Sequence, residues 1–143
     1  MSSLHPAGRP LLHPVHAILL AVPVALFTVA LLTDIAYLQT AEIQWTNFSS
    51  WLIVGALLGG GLVLVWSIIL AVAARRRPHR QPSLIYAMLI AIMWIAGLVN
   101  AFQHSQDAWS SVGVTGLILS TISAVLALAA SWVAHRTVRE IGR

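Results

Sequence analysis

Four long apolar runs constrain this chain more than anything else in it. They cover about residues 14–38, 49–74, 83–102 and 112–134 of 143. At about 1.5 Å per helical residue, each can cross a hydrocarbon layer of about 30 Å. A backbone in lipid must satisfy its polar groups within the segment, so each run reads as a helix. Charged residues make up only 8% of the chain, against about 25% in a soluble domain. The expected fold is all-α: a four-helix transmembrane bundle, 14–135, between a tail at 1–13 and a tail at 136–143. Short connections make sequential helices antiparallel. The bundle then runs up-down-up-down, with helices one and three diagonal, and their far ends can meet across the centre.

Orientation comes from the arginines. Arg9, Arg75, Arg76, Arg77, Arg80, Arg136, Arg139 and Arg143 all fall in the N-terminal segment, the middle connection and the C-terminal tail, and there is no lysine. The other two connections, 39–48 and 104–111, hold no arginine, and Asp34, Glu42 and Asp107 lie at or beside them. Cytoplasmic loops keep basic residues. Both termini are therefore expected in the cytoplasm and the protein in a bacterial inner membrane. The first run is longer than a signal-peptide core and lacks a small-residue cleavage site, so it is expected to be retained. The net charge of +4 is juxtamembrane and predicts contact with anionic lipid headgroups, not with nucleic acid. Without cysteine, disulfides, thiolate metal sites and cysteine nucleophiles are excluded.

Local signals refine the spans. Pro14 suits a first helical turn, and Pro23 removes a backbone hydrogen bond inside the first span. Asn47 or Ser49 is expected to cap the second helix. Gly55 and Gly59 have the spacing that lets helix backbones approach closely, and Gly116, Ser120, Ala124, Ala127 and Ser131 form a similar ridge that reads as packing surface. Trp45, Trp51, Trp109 and Tyr37 are expected at the outer interface, and Tyr86 and Trp132 at the inner one.

Two groups of residues carry candidate chemistry. Asp34 is an ionisable group inside a span, which is costly and usually faces the bundle interior or water. Depth places it near Asn100 and His104, with Tyr37, Asp107 and Glu42 nearby. This set is read chiefly as a structural polar cluster tying helix ends together. Asp34, His104 and Asp107 also have the chemistry of a divalent-metal site. The second group is His13 and His16, one helical turn apart and therefore candidates to share a metal or flank a haem. No pair of mid-span histidines lies at one depth, so binding no cofactor is favoured over haem or a metal. No nucleophile–histidine–acid pattern, phosphate-cradling glycine loop or zinc-protease motif occurs.

The stretch His13-Pro-Val-His16, with Pro23 after it, resembles the opening signature, HPxHP, of a bacterial family of four-span membrane proteins of unknown function. The likeness continues through Thr33-Asp34-Ile35-Ala36-Tyr37, Trp45, Trp51, Asn100, His104-Ser105-Gln106-Asp107-Ala108, Gly116, Ser120 and Trp132. Departures cluster toward the cytoplasmic half. Ala17 replaces the second proline, Leu70 an aspartate, Tyr86 a histidine, Ile90 an asparagine and Arg136 a glutamate. If relatives build a histidine–carboxylate site there, this chain keeps only His13 and His16, while the outer polar group is intact.

The resulting expectation is a non-enzymatic accessory or scaffolding subunit that associates with itself or a larger membrane complex through its small-residue faces. A haem- or metal-binding redox protein is the alternative. A small proton or cation conductor through Asp34 is weaker, since four spans without an inverted repeat make an incomplete transporter.

Overall fold

A computed structural model describes residues 14–74, 82–105 and 112–140. It contains four helices: α1 (Pro14–Thr40), α2 (Ile43–Ala74), α3 (Pro82–His104) and α4 (Val114–Glu140). All four are long and apolar enough to cross a membrane. Pro14 and Pro82 each open a helix, where a missing N–H costs nothing.

The helices are apolar on every side, as expected where one face meets a core and the other lipid. Burial sorts the two. On α3 the buried residues are Tyr86, Ile90, Met93, Gly97, Asn100 and His104, at alternating intervals of four and three. On α1 His16, Leu20, Pro23, Phe27, Ala30 and Asp34 keep nearly the same rhythm. That is the 3.5-residue repeat of a coiled-coil seam. The buried polar residues His16, Asp34, Asn100 and His104 lie on this inward seam, while Val29 and Leu32 of α1 and Ile92, Ile95 and Val99 of α3 point outward.

The four helices form a square. Helix α1 packs against α2 and α4, and α3 packs against α2 and α4. Among the described residues, the diagonal pairs make no backbone approach within 8 Å. Only side chains cross the centre. The core is Leu20, Phe27, Ile53, Ala56, Val63, Ile90, Met93, Ala124 and Ala127.

Glycine sets the close approaches. A Cβ on Gly59 would lie 2.6 Å from Val22 Cγ1, and one on Gly55 2.9 Å from Leu26 Cδ1. The Gly55/Gly59 spacing therefore serves the α1–α2 contact. Across the diagonal, Phe27 reaches Gly97 so closely that a Cβ there would meet its Cζ at 2.5 Å. Trp94 Nε1 donates to the Leu57 carbonyl at 3.1 Å, tying α3 to α2.

Two expectations need correction. The connection anticipated over 39–48 is two residues, Ala41 and Glu42. Ala41 takes a left-handed φ of 56° and its N–H bonds the Tyr37 carbonyl at 2.8 Å, a helix-ending turn. Helix α2 then restarts at Ile43, so neither Asn47 nor Ser49 caps it, and Ser49 is a buried core residue. Tyr86 sits on the α3 seam and is buried, its hydroxyl turned to His16.

Candidate functional site

The rhythm of the seam brings polar groups from all four helices together at one end of the bundle, the end carrying the α1–α2 connection. Asp34 of α1, Ser49 of α2, Asn100 and His104 of α3, and Ser120 of α4 are all buried there. The diagonal pair meets directly: His104 Nε2 lies 3.0 Å from Asp34 Oδ1. Ser120 donates its hydroxyl to Asp34 Oδ2, and Asn100 Nδ2 donates to Ser120 Oγ at 2.8 Å. His104 Nδ1 faces the Asn100 carbonyl at 2.9 Å. Ser49 Oγ, 3.5 Å from His104 Nε2, donates to the Ala30 carbonyl at 3.4 Å. That carbonyl also receives the Thr33 hydroxyl at 2.8 Å.

These partners fix the number of protons. A backbone carbonyl only accepts, so His104 Nδ1 carries a hydrogen. With that tautomer, a neutral ring would aim the Nε2 lone pair at Asp34 Oδ1. The contact is a hydrogen bond only if one proton lies between the two atoms. Asp34 Oδ2 accepts from Ser120 as well. One proton bridges the pair, on Nε2 as an imidazolium or on Oδ1 as a carboxylic acid, and either form satisfies every contact. His104 lies in the last turn of α3, where the helix end favours a cation.

Both imidazole nitrogens are engaged in this arrangement, and Asp34 and His104 touch without space for an ion between them. Among the described residues, no group of three His, Asp or Glu side chains is placed to hold a metal. Asp107, the third expected ligand, lies outside the described residues, as does Trp109. Tyr37 is half-buried and Glu42 exposed. Neither is bonded to the network. Sequence alone places Ser120 in a packing ridge and Ser49 at a helix cap. Depth matching together with the α1–α4 contact puts Ser120 beside Asp34, since each lies about two turns from the same end of the bundle.

The opposite end holds a smaller group. His16 is buried, with Nε2 2.8 Å from the Tyr86 hydroxyl. Its ring meets Trp66 at 5.4 Å and Tyr86 at 5.7 Å between centroids. Among the described residues its Nδ1 has no partner. His13 lies outside the described residues, so the expected histidine pair is represented by His16 alone. Tyr86 supplies the phenol that bonds it. Between the two ends lie Leu20, Phe27, Ile53, Ile90 and Met93, essentially inaccessible to solvent.

Comparison with known proteins places this architecture. The family described as "Predicted membrane protein (DUF2231)" matches residues 12–142. The chain belongs to the DUF2231 family. The match spans all four helices, both polar ends and the apolar middle, so the DUF2231 assignment concerns the whole bundle. No curated protein and no solved structure matches the chain.

Proposed function

We propose that this DUF2231 protein is a non-enzymatic accessory or scaffolding subunit of the bacterial inner membrane, with both termini in the cytoplasm. The observation that carries this reading is that the ionisable and hydroxyl groups of the polar network bond one another, with Asn100 Oδ1 left unpartnered among the described residues. Asp34, His104 and Ser120 spend their polar atoms on one another and on α3, as a lock between helices does. A catalytic or transport site keeps a position open for what it handles. The route of association differs from the sequence expectation. Gly55, Gly59, Gly97, Ala124 and Ala127 are used inside the bundle. Contact with a second copy or a larger complex therefore falls to the outward apolar faces, and contact with anionic lipid to the arginines.

The apolar middle weighs against a conductor, because a proton wire needs polar groups along its length. Among the described residues, a redox role rests on His16, whose Nδ1 is without a partner. Purification of the tagged full chain in mild detergent tests the proposal. The expected result is a homo-oligomer or a defined larger complex with no Soret band. A Soret band, or stoichiometric metal lost in His104→Ala, replaces the accessory reading with the redox one.

A further inference from the structure

We infer that the Asp34–His104–Ser120–Asn100 network is a proton-binding site with two bonded states, one proton apart, interchanged by a half-turn of the Asn100 amide. This does not rest on the accessory role, since it concerns the isolated bundle.

The idle atom is the clue. Asn100 is buried, and among the described residues its Oδ1 has no hydrogen-bond partner. A buried, unpaired amide oxygen is costly. In the bonded chain described above, hydrogens point one way: Asn100 Nδ2–H to Ser120 Oγ, and Ser120 O–H to Asp34 Oδ2. With the bridging proton on His104 Nε2, the form the helix end favours, Nε2–H completes it at Asp34 Oδ1.

Suppose one proton is added at Asp34 Oδ2. That atom becomes a donor and must deliver its hydrogen to Ser120 Oγ. The serine hydroxyl then has to donate elsewhere, but the atom facing it at 2.8 Å is Asn100 Nδ2, which has no lone pair to offer. A half-turn of the amide exchanges Nδ2 and Oδ1. The chain then reads Asp34 Oδ2–H to Ser120 Oγ, and Ser120 O–H to Asn100 Oδ1. His104 Nε2–H still bonds Oδ1 of the now neutral carboxyl, and Nδ1–H still bonds the Asn100 carbonyl. No hydrogen bond is lost, and the added proton stays on Asp34 Oδ2. A leucine or alanine at position 100 offers no such reversal.

The surroundings leave the proton few other destinations. Helix α2 faces the site with Ser49 and Thr46, and α4 with Ser120, none of which titrates near neutrality. On α1 the next titratable residue is Tyr37, half-buried and one turn on, with exposed Glu42 beyond it. Among the described residues at this end of α3, His104 alone titrates. The apolar middle blocks passage to the His16 end, so the proton enters and leaves from the α1–α2 end. The site stores a proton; it does not relay one.

Acid-induced infrared difference spectra of the full chain in lipid nanodiscs test this. Acidification is expected to raise a carboxylic-acid C=O band that is absent in Asp34→Asn. Nitrogen NMR of labelled histidine should show both His104 ring nitrogens protonated before and after. Asn100→Leu loses one bond in each state, so it identifies the Asn100 amide band, which in the wild type should shift together with the Asp34 band as the amide oxygen gains the Ser120 hydroxyl. Ser120→Ala, which removes a donor to the ionised carboxylate, should need less acid for the Asp34 band and should uncouple the amide band from it; it serves if Asn100→Leu does not fold. The inference is overturned if no Asp34-dependent band appears while circular dichroism shows the helices intact. It is equally overturned if the Asn100 amide band stays fixed while the Asp34 band rises.

Discussion

Asp34 and His104 occupy diagonal helices that never approach by backbone, so their bond is a purely side-chain bridge across the bundle centre. Removing one partner strands the other in a buried setting. Asp34→Leu or His104→Leu alone is expected to cost about 3 kcal/mol, the range for breaking a buried pair one-sidedly. The double variant should cost less than the sum, because two apolar groups need no partner. A double-mutant cycle on SDS-induced unfolding reads this. Additive, near-zero losses would mean that water reaches both groups and that the bridge is not a lock. At this scale the sequence was partly legible. A carboxylate inside an apolar run advertises itself, and depth matching joins it to Asn100 and His104. Ser120 stayed hidden because a serine in a small-residue ridge looks like packing, and its bond to Asp34 depends on α4 standing next to α1. The His16–Tyr86 contact stayed hidden for a related reason. A tyrosine near a span end looks like a belt residue until the seam rhythm turns it inward.

The elements themselves were mostly written in the apolar runs, whose length and lack of charge leave little but helices. Their ends were not. Gln44, Trp45, Thr46 and Asn47 read as a polar connection, yet all are helical. A helix that leaves the hydrocarbon can continue among polar residues, so apolar length sets the span and not the helix. The left-handed turn at Ala41 was equally unreadable, since that conformation usually calls for glycine or asparagine. The glycines of α2 were legible as a close-packing signal, but which helix they served was not. The contact with Val22 and Leu26 assigns them to α1. Gly59→Leu is therefore expected to destabilise the bundle by about 1–3 kcal/mol through overpacking against Val22. Gly113→Ala, where an added Cβ meets nothing within 4 Å, should leave the unfolding midpoint unchanged. Thermal melting in detergent separates the two. Equal melting temperatures would show that α1 and α2 have room to part.

The whole molecule poses two separable questions: which residues share an end of the bundle, and which end faces the cytoplasm. The fold answers the first. Glu42 and Gly113 lie at the end that holds Asp34 and His104, while His135 lies at the other, beside the last turns of α4. The arginines bear on the second: in sequence Arg75–Arg77 and Arg80 fall between Ala74 and Pro82, the ends of α2 and α3, and Arg136, Arg139 and Arg143 follow His135. The chain has no cysteine of its own, so single-cysteine variants report cleanly. Glu42→Cys and Gly113→Cys are exposed positions and should both react with a membrane-impermeant maleimide in intact cells. His135→Cys, also exposed, should react only after permeabilisation. The two failures differ. If Glu42→Cys and Gly113→Cys label on opposite sides, the antiparallel square is wrong. If they agree with each other but label only after permeabilisation, the square stands and the orientation reverses. The proton site would then open toward the cytoplasm, and the arginine-bearing end would face away from the anionic cytoplasmic leaflet.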